Sequence, residues 1–181
     1  MANSSPEAAA QVDRRRLLIA YDGSERAQAA VEMAGKLMPG AEAVVVHVFE
    51  PALMMASGST APDPLRTIPE GVLASPGPGS PALATEFEAR MKHAMDIAQE
   101  GAALAQGAGL VAEAQAIAAR GTSGIWSAII GAADDQHATL IVVGARGHSG
   151  VASLMLGSVS DGLVHHTRLP VLVVPLAQTE L

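Results

Sequence analysis

Apolar positions change their period several times along the chain. Residues 17–20 form a short apolar run that Tyr21, Asp22 and Gly23 interrupt, and Ser24 stands where a helix cap is expected. Beyond it Ala27, Ala30, Val31, Ala34, Leu37 and Met38 recur at helical spacing until Pro39 and Gly40 end the pattern. Residues 43–49 are almost unbroken in hydrophobicity and rich in valine, as befits a strand covered on both faces. Strand, helix and strand in this compass make a βαβ unit.

Residues 51–81 break the pattern, holding seven of the eleven prolines, four glycines, four serines and only three charged side chains. That composition excludes a regular element, and the stretch reads as an insertion. Thr85 and Glu88 then have capping-box spacing, and Phe87, Met91, Ala94, Met95, Ala98 and Ala102 form an apolar stripe ending at Gly107 and Gly109. Residues 110–119 alternate weakly and suggest a strand, though one rich in alanine and glutamine. Gly121, Thr122 and Ser123 open a third helix with Ile125, Ile129 and Ala132 turned inward. A buried strand follows at 140–143, then a glycine-rich loop, a helix at about 158–166 and a last strand at 171–174. The order βαβαβαβαβ calls for a twisted parallel sheet with helices on both faces, because crossovers are right-handed. Ligands of such sheets bind beyond the carboxyl ends of the strands, where strand order reverses.

Composition narrows the class. The chain has 181 residues, 49% of them apolar, yet its aromatics are one Trp, one Tyr and two Phe. Thirty-six alanines suit helices lying close on a sheet. Eleven basic against 18 acidic residues give a formal charge of −7, so nucleic acid is not an expected partner. With no cysteine there is no disulfide, thiolate metal site or cysteine nucleophile. No apolar run approaches the length of about 18 residues that a membrane span needs. The polar start, with Arg14, Arg15 and Arg16 before the first strand, reads as a tail over residues 1–13 and not as a signal peptide. Residues 14–181 then form one domain, and a cytoplasmic location is expected.

Chemical content gathers at residues 143–160. Gly144 and Gly147 follow a buried strand and let backbone amides approach an anion, while Gly157 and Ser158 open a helix where unbonded amides point outward. Ser158 and Ser160 bring hydroxyls able to donate to phosphate oxygens, and Arg146 or His148 brings positive charge. The same pattern also fits a glycine turn followed by a serine cap. The only lysines are Lys36 and Lys92, and no GxxxxGK[ST], GxGxxG, GxSxG or HExxH occurs. His165 and His166 are adjacent, so on a helix they diverge by about 100° and read as surface or interface histidines. His47 reads as a packed strand histidine, Trp126 as packing, and the methionines, Met54, Met55 and Met155 among them, as gap-fillers.

Gly144, Gly147, nine intervening residues, then Gly157 and Ser158 form a spaced motif that resembles the ATP-binding branch of the universal stress protein family. The similarity extends to residues 17–24, to Val46, His47 and Val48, and to residues 169–174. The resemblance implies an α/β fold with an open, twisted five-stranded parallel sheet of order 3-2-1-4-5, and a homodimer formed through the last strand, Val171–Val174. It puts Asp22 beside the nucleotide, Val48 against adenine through its backbone, and Ala20 and Val143 along the base. Gly144, Arg146 and Gly147 would meet ribose and phosphates, and Gly157, Ser158, Val159 and Ser160 would complete a phosphate cradle. A carboxylate near a triphosphate needs an intervening ion or hydroxyl, so Asp22 suggests Mg2+ held through water.

The function expected from this resemblance is an ATP-binding stress-response protein, a nucleotide-dependent homodimeric switch or sensor acting on an unidentified protein partner. No catalytic residue is assigned. A slow ATPase or phosphotransferase using the same pocket is the second reading, although no lysine invades the site and no base is poised for water. The third is an interaction module acting through residues 51–81.

Overall fold

Two periodicities in the sequence become the two faces of one sheet. The computed structural model describes residues 16–51, 81–119, 124–145 and 156–175. Within them β1 (Arg16–Ala20), β2 (Glu42–Phe49), β3 (Val111–Ala118), β4 (Leu140–Gly144) and β5 (Val171–Val174) form a parallel sheet of order β3-β2-β1-β4-β5. Leu17 lies beside Ala43 and Leu140, and Ile19 beside Val45 and Val142. Successive side chains point to opposite faces. Leu17, Ile19, Ala43, Val45, Val142 and Val174 therefore enter one core, while Leu18, Val44, Val46, Ile141 and Val143 enter the other. Burial on both sides explains strands that read as unbroken apolar runs.

The helices α1 (Glu25–Leu37) and α2 (Pro81–Gly107) cover the first face, and α3 (Gly124–Asp135) and α4 (Ser158–His166) the second. Ala27, Ala30, Ala34, Ala102 and Ala105 are all buried, so small side chains do most of the helix-to-sheet packing. Ser24 caps α1 as expected, its Oγ accepting from the Ala27 N–H at 3.2 Å. On the second face α3 meets α4 through Trp126, whose ring stacks on His166 with centroids 4.2 Å apart and planes 20° apart. His165 and His166 do diverge, their Nδ1 atoms bonding the carbonyls of Asp161 and Gly162 respectively.

Where the elements differ from expectation, local chemistry explains it. Thr85 is not a cap: α2 already begins at Pro81, the Thr85 hydroxyl donates to the Pro81 carbonyl at 3.1 Å, and Glu86 pairs with Arg90. Proline suits a first helical turn because the N–H it lacks would have no acceptor there. Pro81 thus belongs to the helix and not to the insertion. The weakly alternating β3 is a full strand, in register with β2 from Glu42 and Val111 to Phe49 and Ala118. Its pattern is weak because it is an edge strand, with Val111 65% exposed. The expected tail (1–13), residues 52–80, the expected opening of α3 at Gly121, Thr122 and Ser123, and Met155 lie outside the described residues. Among the described helices none is long and apolar enough to cross a membrane.

Candidate functional site

In a doubly wound sheet the chain leaves β1 toward β2 and leaves β4 toward β5, so a crevice opens above the carboxyl ends of β1 and β4. A cleft of about 240 Å³ lies there. Ala20, Val46, Val48, Val143, Ile125 and Ile129 make one apolar wall, all on the α3 side of the sheet. Tyr21, Asp22, Ala27 and His47 border it on the other side, and Gly144 with Gly157, Ser158, Val159 and Ser160 closes one end. Of the sequence-derived site residues, Ala20, Asp22, Val48, Val143, Gly144, Gly157, Ser158, Val159 and Ser160 are thus brought together. Arg146 and Gly147 lie outside the described residues, as does His148.

Among the described residues nothing takes up the first amides of α4. Its first intrahelical bond runs from the Asp161 N–H to the Gly157 carbonyl, so the N–H groups of Ser158, Val159 and Ser160 have no acceptor within the helix. The cap residue is Gly157, which offers no side chain, and its own N–H donates to the Ala145 carbonyl at 2.8 Å. Amides and helix dipole together make this end a ready site for an anion.

The sequence reading of the Ser160 hydroxyl needs correction, and Gly144 has a packing role beside the expected one. The Ser160 hydroxyl is not a free donor for phosphate: it is buried, with the Ala145 and Gly157 carbonyls at 2.9 and 3.0 Å, and so ties α4 to the end of β4. Nor is Gly144 a glycine for the sake of a ligand alone. A Cβ there would lie 3.0 Å from the carbonyl carbon and oxygen of Arg26, so its absence lets the first turn of α1 settle on β4.

At the end of β1 the Asp22 Oδ1 accepts from the Ser24 N–H at 3.0 Å, a turn that leads directly into the α1 cap. Among the described residues no group of three or more His, Asp or Glu gathers as a metal cage. His47 does more than pack, since it lines the cleft and its Nδ1 lies 2.9 Å from the Tyr21 carbonyl. A carbonyl only accepts, so Nδ1 carries the hydrogen and Nε2 of the neutral ring is an acceptor. The Tyr21 hydroxyl donates to Glu100 Oε1 at 2.7 Å, and burial together with that carboxylate pushes its pKa up to about 12.

The backbone of β2 supplies the remaining polar groups. The Val46 carbonyl accepts from the Tyr21 N–H on the β1 side, and the Phe49 carbonyl accepts from the Ala119 N–H on the β3 side. In a parallel strand these directions alternate residue by residue, so the N–H and C=O of Val48 face the β1 side, past the point where β1 has ended. One donor and one acceptor therefore border the apolar slot.

Sequence reasoning missed Tyr21, Ala27, Val46, His47, Ile125 and Ile129 as cleft residues. A signal existed for some of them, since Val46 shares a strand face with Val48, and Ile125 and Ile129 share a helix face.

An open parallel α/β sheet with a crevice at the reversal of strand order, an apolar slot and a helix start at its end defines a Rossmann-like α/β fold. The family model of the universal stress proteins matches residues 13–75 and 70–175, and the chain belongs to that family. Among curated proteins no significant match was found. Hypothetical protein MJ0577 shares the fold at 18% identity, over 93% of this chain and 100% of its own, with a TM-score of 0.63. A universal stress protein solved in complex with cAMP is 21% identical over 90% of this chain and 97% of its own, with a TM-score of 0.54. The universal stress protein of Archaeoglobus fulgidus, in complex with dAMP, is 17% identical over 88% of this chain and 96% of its own, with a TM-score of 0.52.

Proposed function

We propose that the cleft binds ATP, with adenine in the apolar slot and the triphosphate over the amino end of α4. On this reading the protein is a homodimeric, nucleotide-dependent switch or sensor acting through a protein partner. The observation that carries the reading is the direct junction of the slot with three helix amides that have no intrahelical acceptor. The Val48 N–H and C=O match the N1 acceptor and 6-amino donor of adenine, whereas guanine presents a donor and an acceptor in the opposite sense. The cAMP and dAMP complexes of related folds also favour an adenine nucleotide. With a volume of about 240 Å³ the cleft encloses only part of a nucleotide, so the phosphates extend beyond it. Asp22 would take Mg2+ through water, and the bound ion would neutralise phosphate charge.

Calorimetric titration with ATP, with circular dichroism as the folding control, tests the reading. Gly157 has φ −68° and ψ 157°, a conformation valine adopts freely, so Gly157→Val should fold. Its branched side chain would cover the amides and occupy the space of the phosphates, abolishing binding. Ser158→Ala keeps the amides and removes one hydroxyl, which should cost about 1–3 kcal/mol, roughly 5- to 150-fold in affinity. A folded Gly157→Val protein that binds ATP like the wild type would remove α4 from the site.

A further inference from the structure

The ladder between β1 and β2 stops one bond short of what its register offers. Ala20 is the neighbour of Val46, and the Tyr21 N–H donates to the Val46 carbonyl at 2.9 Å. In a parallel ladder a residue that gives its N–H to one position of the neighbouring strand accepts, at its carbonyl, the N–H two positions further on. The donor due at the Tyr21 carbonyl is therefore the Val48 N–H, and that backbone bond is not made. The Nδ1–H of His47 stands in its place, 2.9 Å from the same oxygen.

This exchange of donors needs a side chain that can give a hydrogen. Tyr21 is 2% exposed, so its carbonyl requires a donor, and those at hand are the Val48 N–H and the His47 ring. His47 precedes Val48 in β2 and is level with Tyr21, and its Nδ1 sits close enough to the backbone to reach the adjoining strand. An aliphatic residue at 47 would offer no hydrogen and leave the carbonyl to the Val48 N–H. Both His47 and Val48 line the cleft. With the ring bonded to Tyr21, the Val48 N–H stays turned toward the β1 side without a partner among the described residues. A donor faces the slot where one more ladder bond would have closed it.

We propose that His47 is a positioning residue of the nucleotide site: by occupying the Tyr21 carbonyl it keeps the Val48 N–H out of the sheet and available to the acceptor edge of the base. The assignment rests on the nucleotide reading above for its ligand, whereas the exchange of donors is a property of the ligand-free chain.

NMR on the full, isotope-labelled chain tests that exchange directly. In the wild type without nucleotide the Val48 amide should exchange with solvent at least about tenfold faster than that of Val46, which lies inside the ladder, and the His47 ring should be the Nδ1–H tautomer. In His47→Leu the Val48 amide should slow by about tenfold as it closes on the Tyr21 carbonyl. His47→Asn, whose side-chain amide puts an N–H near the place of Nδ1, should keep it fast. Titration with ATP and with 1-deaza-ATP, which lacks the N1 acceptor, reads the consequence, with circular dichroism as the folding control. The wild type and His47→Asn should prefer ATP about 5- to 20-fold, and His47→Leu should bind the two alike, because one hydrogen bond to the base is lost. A mere loss of packing would weaken both ligands equally and leave the preference in place. A Val48 amide already protected in the ligand-free wild type, or one that stays fast in folded His47→Leu, would overturn the role of His47 and leave the nucleotide site standing. An unchanged preference for ATP in His47→Leu would do the same. A wild-type chain and variants that show this amide behaviour but bind neither ligand would end the nucleotide reading and leave the exchange of donors in place.

Discussion

Tyr21 is the only tyrosine of the chain, it is 2% exposed, and its hydroxyl is held by Glu100. Its pKa of about 12 in the folded protein, against an ordinary 10.0, makes it a pH-sensitive contribution to stability. Because the folded value is the higher one, the contribution is complete below pH 10 and is lost as pH rises through about 12, a change worth about 3 kcal/mol. Phenolate absorbance should therefore titrate near pH 12 in the native chain, and Tyr21→Phe should lose less stability than the wild type between pH 10 and 12. A midpoint near 10.0 would mean that the ring is solvated. Gly162 is a second residue with a narrow tolerance, since a Cβ there would lie 2.5 Å from Cγ and Cδ1 of Trp126. Gly162→Ala should destabilise by about 1–2 kcal/mol in urea, overpacking outweighing the gain in helix propensity. Pairing it with Trp126→Ala should abolish that cost. At this scale Asp22 was legible as the residue that turns β1 into α1, because carboxylate, glycine and serine follow one another there. Ser160 was not, since the carbonyls that take its hydroxyl hydrogen belong to a residue fifteen positions earlier and to the helix cap. Pattern carries no information about which partner a hydroxyl will find.

Among the elements, β5 has the most to reveal. Among the described residues only one of its edges is occupied, by β4. The Pro170 and Val174 carbonyls accept from Ile141 and Ala145 of the β4 side, so by alternation Val171 and Val173 turn their backbone groups outward. A second copy pairing there would satisfy them. Val173→Pro removes one outward N–H and none that faces β4, so it should leave the fold intact and convert a dimer to a monomer by light scattering. Persistence of the dimer would place the interface elsewhere. Helix and strand identities were largely legible because burial sets a period, and the limits of α4 and β5 coincide with the apolar pattern. The start of α2 was not, because the Thr85 to Glu88 spacing competes with a proline one turn earlier and the sequence does not rank them. Strand order was not legible from periodicity either: alternation assigns a residue to a face but never names the neighbouring strand. Family resemblance supplied it.

For the whole molecule, a sheet whose strands all run the same way has two chemically different ends. Arg16, Glu42, Glu113, Gln115 and Gln136 form a polar network at the amino ends of the strands. The cleft lies at the carboxyl ends, where the described lining includes no lysine and, besides Asp22, Tyr21 and His47, no titratable side chain. Turnover of ATP should accordingly be slower than about one per minute, against 1 to 1,000 per second for typical enzymes. Fast, magnesium-dependent hydrolysis that disappears in Asp22→Ala would reverse that view. The same polarity governs how the chain enters and leaves. It enters the sheet through Arg16, at the end remote from the cleft, and leaves through Val174, whose carbonyl holds the N–H of Ala145, the residue that anchors α4. The full height of a strand thus separates Arg16 from the cleft, whereas Val174 stands two hydrogen bonds from the amino end of α4, so a perturbation at the first position should be silent at the cleft and one at the second should reach it.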